Sequence, residues 1–249
     1  MMDLELLIDL HKEGERQGPG STELTSIAIN MASLTKCNRR LQILDVGVGT
    51  GASTLQLSKS LNAEILAIDL STVFLQILEE RALSLGLSEK ISTRACSMDD
   101  LPFSEENFDV VWAEGSIYNM GFSNGIEYLK HFLKPGGIMA VSEVIWLTKD
   151  RPAEIDEFWQ KEYPEIATPS RNMEILEEQG LVLKGYFPFP KSAWWDNYYQ
   201  PLQGRCDEFL SKYQSEAAKQ LIAAVNMEIE LYEKYYCYYS YGFFIAQKV

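Results

Sequence analysis

Apolar positions come in short runs that alternate with stretches patterned at helical spacing. Runs at residues 41–46, 64–69, 91–96, 108–113, 138–146 and 181–187 read as strands, and an aromatic run at 235–247 reads as a seventh that closes the sheet edge. Residues 108–113 are almost all apolar, as a strand covered on both faces must be. Helical spacing marks 52–61, a segment from Ser71 or Thr72 to Gly86, 125–133, 154–163, 170–179 and 202–235. Strand and helix in alternation predict βαβ units and a parallel sheet.

No repeat, low-complexity tract or Pro/Ser-rich linker divides the 249 residues. One domain over 1–249 is therefore expected, with a helical cap at 1–40 and a helical insertion before the last strand. At 46% hydrophobic and 23% charged residues, the whole chain is expected to fold. A formal charge of −14 argues against a nucleic-acid partner, because phosphate binding needs clustered Lys and Arg. Asp99, Asp100, Glu105, Glu106, Asp109, Glu154, Asp156 and Glu157 read as a solvated acidic face. Cys37, Cys96, Cys206 and Cys237 form no Cys-x-x-Cys pair, so reduced, buried thiols are expected. Early acids at Asp3 and Glu5 disagree with a secretory leader. The most apolar interior run, 138–147, is broken by Ser142 and Glu143 and falls short of the roughly 20 residues that span a bilayer. A cytoplasmic protein without a membrane span is expected.

The chemistry concentrates in Asp45-Val46-Gly47-Val48-Gly49-Thr50-Gly51-Ala52, where a strand turns into a helix. Glycines there allow a tight turn and let a ligand approach the backbone. Gly47-x-Gly49-x-x-Ala52 also fits a dinucleotide-binding turn, so the glycines alone do not decide. Asp45 before the turn, Asp69 at the end of the second strand and Asp99 after the third do more. Together they resemble the class I S-adenosylmethionine-dependent methyltransferases, whose first motif Asp-x-Gly-x-Gly-x-Gly is matched in full. The resemblance covers about 41–147 and includes Leu101-Pro102-Phe103, Asn107-Phe108-Asp109 and Leu133-Lys134-Pro135-Gly136-Gly137.

That resemblance implies a Rossmann-like α/β fold with a seven-stranded, mostly parallel sheet and helices on both faces. It makes 41–147 the cofactor-binding core and 148–249 the substrate-side helices and sheet-closing strands. It also implies S-adenosylmethionine as cofactor, held by Asp45, Gly47, Gly49, Thr50, Gly51, Asp69, Leu70, Ser97, Met98, Asp99 and Glu114. In the family the acid at the Asp69 position binds the ribose hydroxyls, the turn at Ser97-Met98-Asp99 holds adenine, and the acid at the Asp45 position lies near the methionine part. A cofactor with a sulfonium and an ammonium but no phosphate suits acidic surroundings.

Arg16-Gln17-Gly18-Pro19-Gly20-Ser21 and Glu114-Gly115-Ser116-Ile117-Tyr118-Asn119 are similar to small-molecule methyltransferases of the ubiquinone/menaquinone-biosynthesis type. The second segment replaces the Asn/Asp-Pro-Pro-Tyr/Phe motif of enzymes that methylate adenine or glutamine nitrogen. A small-molecule acceptor is implied.

Methyl transfer from sulfonium is an in-line displacement that depends mainly on alignment in a dry pocket. His11 and His131 are the only histidines, and His131 lies on a helix away from the expected site. Glu114 and Tyr118 are the candidate catalytic residues, with Glu143 nearby at the end of the fifth strand. The aromatic segment 186–199 suits a pocket wall for an apolar or quaternary-ammonium substrate; it equally suits packing of the inserted helices or a homodimer interface. Two other classes stay open: a nicotinamide-dependent oxidoreductase, against which stand Asp45 and the lack of a Tyr-x-x-x-Lys pair, and a non-catalytic cofactor-binding protein.

Overall fold

A computed structural model describes residues 4–249. The amino-terminal residues 1–3, on which the reading of the leader partly rests, lie outside the described residues. Seven strands form one sheet: β1 (Leu41–Val46), β2 (Ala63–Asp69), β3 (Ile91–Ala95), β4 (Phe108–Glu114), β5 (Leu133–Trp146), β6 (Leu181–Pro188) and β7 (Tyr239–Lys248). Their order is β3-β2-β1-β4-β5-β7-β6. The first five are parallel, while β7 runs antiparallel to both β5 and β6. The chain winds outward from β1 to β3 and then returns to β4 on the other side of β1. That reversal opens a crevice at the carboxyl ends of β1 and β4, where ligands bind in open α/β sheets.

The last strand departs from expectation. β7 lies between β5 and β6, so β6 forms the edge. The first eight residues of β7 are buried, which its apolar run allows, whereas β6 carries Lys184 and an exposed Val182. Residue 235 belongs to the preceding helix, and β5 starts earlier than the apolar pattern suggests, at Leu133.

Alternation sorts the strands onto two faces. Ile43, Val110, Trp112, Ala140 and Val144 meet one group of helices: α2 (Thr22–Met31), α3 (Ala52–Ser60), α6 (Ala153–Glu162) and α10 (Glu216–Tyr235). Leu44, Val111, Ala113, Met139 and Ile145 meet α5 (Phe122–Leu129) and α7 (Pro169–Glu178). Helix α4 (Thr72–Ser84) covers β2 through Leu75 and Leu78, starts with Ser71 Oγ accepting from Phe74 N at 3.3 Å, and is followed by Gly86 at φ 68°. Trp112, fully buried, alone contributes about 2–3 kcal/mol of apolar burial.

The carboxyl edge of the sheet is covered by a separate helical layer. Leu6 and Leu10 of α1 (Leu4–His11) pack on Leu202, Cys206 and Phe209 of α9 (Gln200–Lys212) and on Leu221 and Ile222 of α10. The segment 202–235 is thus two helices, broken at Tyr213. The aromatic segment ahead of them forms the end of β6, the short helix α8 (Lys191–Trp194) and a π-helical turn, Trp195–Tyr199. Trp194 stacks on Tyr232 at 4.7 Å and donates from Nε1 to Ser240 Oγ at 3.1 Å, so part of this segment packs onto the sheet.

Two surface readings are corrected. Asp109 is buried, not solvated, because Arg39 and Lys134 bind its two carboxylate oxygens at 2.7 and 3.1 Å. Of the four cysteines only Cys206 is buried, and Cys237 is exposed. Among the described residues, no helix is long and apolar enough to cross a membrane.

Candidate functional site

The glycine turn owes its shape to β2. Gly47 N and Val48 N both donate to Ile68 O, at 2.9 and 3.1 Å, while Gly49 N donates to Asp69 Oδ2 at 2.9 Å. Asp69 Oδ1 accepts from Ser71 N at 2.8 Å, so one carboxylate joins the turn to the start of α4. Each of its oxygens keeps a further lone pair for a ligand. Burial raises the Asp69 pKa, against hydrogen bonds from Ser71, Gly49 and Leu70 that lower it. Gly47 and Gly49 have φ of 70° and 53°, a conformation that disfavours side chains. A Cβ on Gly47 would lie 2.4 Å from Ser116 Cβ, and one on Gly49 would lie 2.1 Å from Gln17 Oε1.

These residues border a cavity of about 920 Å³ at the carboxyl edge, near the upper end of the roughly 300–1,000 Å³ usual for ligand pockets. Of the residues singled out in the sequence, Gly47, Gly49, Asp69, Leu70, Ser97, Met98, Asp99, Glu114 and Tyr118 line it. Ser97 Oγ donates to Asp99 Oδ1 across the turn after β3.

Asp45, Thr50 and Gly51 are not on the cavity wall. Asp45 is buried under the turn, where it accepts from Thr54 Oγ1 at 2.7 Å and Ser53 Oγ at 3.3 Å in the first turn of α3. Burial pushes its pKa up to about 7, and its Oδ1 has no hydrogen-bond partner among the described residues. Thr50 instead holds the amino-terminal segment: its N donates to Gln17 Oε1 at 2.8 Å, and its Oγ1 lies 3.1 Å from Gly14 O. Arg81 reinforces this from α4, donating to Thr50 O at 3.1 Å and to Gly14 O at 3.1 Å. Gly51, at φ 87°, makes room for Leu78.

Glu114 ends β4 but is not a free carboxylate. Arg16 Nη1 donates to its Oε2 at 2.9 Å, while Thr25 Oγ1 and Trp112 Nε1 donate to its Oε1 at 2.8 and 3.0 Å. The Arg16 and Glu114 side chains are 9% and 8% exposed, so this is a buried ion pair. Glu143 is fully buried and absent from the cavity wall, because its side chain alternates to the face opposite Val144. Burial pushes its pKa up to about 8, and its Oε2 is without a partner among the described residues. His131 is exposed, away from the site.

Several wall residues went unrecognised in the sequence. His11 lines the cavity with Nδ1 2.9 Å from Leu7 O, and burial holds its pKa below the usual range. Tyr163 follows α6, Tyr241 lies on β7 and Glu228 on α10, while Tyr198 belongs to the aromatic segment 186–199 that the sequence offers as a pocket wall. Arg16 and Gln17 carried a signal through the family-like segment in the cap.

Residues 43–137 match the model of a family described as a methyltransferase domain. Over 108 residues the chain is 32% identical to glycine/sarcosine/dimethylglycine N-methyltransferase of Actinopolyspora halophila, covering 43% of this chain and 19% of that one. Over 113 residues it is 31% identical to erythromycin 3''-O-methyltransferase of Saccharopolyspora erythraea, covering 45% and 37%. The chain thus spans well under half the length of these curated relatives. Its fold is similar to a methyltransferase from Geobacter sulfurreducens solved with S-adenosyl-L-homocysteine, with a TM-score of 0.77, 18% identity, and coverage of 90% and 91%. Residues 43–137 are thus similar to a methyltransferase domain, and the fold is that of solved S-adenosylmethionine-dependent methyltransferases. Its site fits that cofactor: the Gly47–Gly49 cradle leaves no room for side chains, and Asp69 retains acceptor capacity at the wall.

Proposed function

We propose that the chain transfers a methyl group from S-adenosylmethionine to a small-molecule acceptor inside this cavity. The observation that supports the reading most is the placement of Asp69 between the Gly49 amide and the start of α4, at the wall of a cavity that also reaches Ser97–Asp99 and Tyr118. When bound, the cofactor supplies an electrophilic methyl on a sulfonium. Asp69 and the Gly47–Gly49 turn hold the adenosyl part, Ser97, Met98 and Asp99 border the base, and Asp45 positions the turn from beneath.

Alignment and exclusion of water are the work left to the protein. Helices α1 and α10 form part of the cavity wall, and α9 packs behind them. With both oxygens of Glu114 engaged, its part is to fix Arg16 and the segment before α2 over the site rather than to accept a proton. Tyr118, its ring 6.2 Å from that of Tyr163, lines the acceptor side. An acidic wall favours a sulfonium over a nucleotide diphosphate, which separates this reading from a nicotinamide enzyme. A cytoplasmic location belongs to the same reading and is supported by four unpaired cysteines.

Calorimetric titration with S-adenosylhomocysteine and with NADH, followed by labelled-methyl transfer into a metabolite extract, tests the proposal. Binding of the first ligand alone, with label incorporated into a small molecule, is the expected result. Binding of NADH alone, or cofactor binding without any labelled product, rejects it.

A further inference from the structure

We propose that the acceptor is an amine, recognised as a cation or developing cation by Glu228 within an aromatic chamber beyond the ends of β4, β5 and β7. The proposal rests on the methyltransferase reading above and names its substrate class.

Ligand-binding groups divide along the sheet edge. Asp69 and Ser97–Asp99 follow β2 and β3, whereas Tyr241 sits on β7 beside Val144 of β5. On this second side the wall carries Tyr118, Trp159, Tyr163, Trp194, Tyr198 and Tyr241, with Glu228 from α10 among them. Burial raises the pKa of the Tyr198 and Tyr241 hydroxyls, so their rings remain uncharged faces.

Glu228 is the anomaly. Its Oε1 accepts from Tyr199 OH at 2.7 Å, yet no Lys, Arg or His among the described residues forms an ion pair with it. A carboxylate set into an apolar wall without a counter-charge is costly, and a ligand cation would supply the missing charge. Aromatic faces around it add cation–π attraction. The cavity as a whole agrees: Asp69, Asp99, Glu114, Glu162 and Glu228 line it against Arg16 and Lys161, and these two cations are already paired with Glu114 and Glu162. An anionic acceptor would enter against that field.

The chemistry balances without a further reagent. The amine lone pair forms the new C–N bond as the C–S bond breaks, and that bond's electron pair stays on sulfur. One positive charge thereby passes from sulfur to nitrogen, next to Glu228. An amine that arrives as an ammonium first gives its proton to solvent, which frees the lone pair; after transfer a tertiary amine releases no further proton, and a primary or secondary amine releases one to solvent.

Choline and its neutral isostere 3,3-dimethylbutan-1-ol test this directly, titrated by calorimetry into the full chain with and without S-adenosylhomocysteine. Choline should bind at least tenfold more tightly than the alcohol, and Glu228→Gln should remove most of that preference while S-adenosylhomocysteine affinity is kept. Equal affinities, binding of neither, or a preference that survives in Glu228→Gln overturns the proposal. The wild-type comparison decides the matter alone if the variant does not fold. Loss of S-adenosylhomocysteine binding by the wild-type protein would instead count against the methyltransferase reading, since the choline measurement does not require the cofactor.

Discussion

Arg16 and Glu114, 98 residues apart, form a buried ion pair at 2.9 Å that ties the amino-terminal segment to the end of β4. Thr25 and Trp112 complete the carboxylate's hydrogen bonding. Removing one partner of such a pair strands the other charge away from water, at a cost of about 3–5 kcal/mol. Glu114→Ala should therefore destabilise the protein by about 3 kcal/mol in urea denaturation. Arg16→Met combined with Glu114→Leu should cost less than either single change, and additive losses would show that the pair is not coupled.

The amino-terminal segment also sits on the glycine turn, through Gln17 and Thr50. A methyl at Gly49 would meet Gln17 Oε1 and would be strained at φ 53°. Gly49→Ala should weaken S-adenosylhomocysteine binding at least tenfold, about 1.4 kcal/mol, by displacing both the turn and Gln17. Retained affinity would mean that the turn does not approach the ligand.

Glu143 carries an acid group that burial drives up to about 8 from about 4.5. A folded-state pKa above the unfolded one means that the native state favours the protonated carboxyl, so stability is lost as pH rises from about 4.5 to 8. Glu143→Gln keeps the neutral form at every pH. The variant should exceed the wild type in stability by at least about 1 kcal/mol at pH 8.5 and lose that advantage at pH 5. A difference independent of pH would contradict the assignment.

Asp109 has the opposite sign. Burial alone would raise its pKa, but Arg39, the Gln42 amide and Lys134 outweigh that and hold it at about 2. Its contribution is complete above the ordinary pKa of 3.8 and is lost as pH falls toward 2. Arg39 and Lys134 are 62% and 37% exposed, so solvent screening leaves about 1–2 kcal/mol. Asp109→Asn should show that deficit at pH 7 and only about a third of it at pH 2.5, as read from denaturant midpoints.

What could be read from the sequence was local. Asp45 to Gly51 and Asp69 were recognisable because a glycine turn and a strand-end acid are set by neighbouring residues. The strands themselves showed in period-two or continuous apolar runs. Glu228 was not legible, since its meaning depends on α10 crossing above the sheet to face Tyr198 and Tyr241. The burial of Asp109 depends on Arg39 and Lys134, distant in the chain, and the burial of Glu143 on which face β5 presents. Strand order failed at β7 because position last in the chain does not make a strand the edge: the more apolar β7 takes the inner place and β6, with Lys184, the edge.

The cofactor assignment of the cavity turns on Asp69. Its replacement by Ala removes the acceptor for the Gly49 and Ser71 amides as well as for ligand hydroxyls. Calorimetric titration of Asp69→Ala with S-adenosylhomocysteine should show affinity reduced at least tenfold, about 1.4 kcal/mol, in a protein that still unfolds cooperatively. Wild-type affinity in that folded variant would contradict the assignment of this cavity to the cofactor.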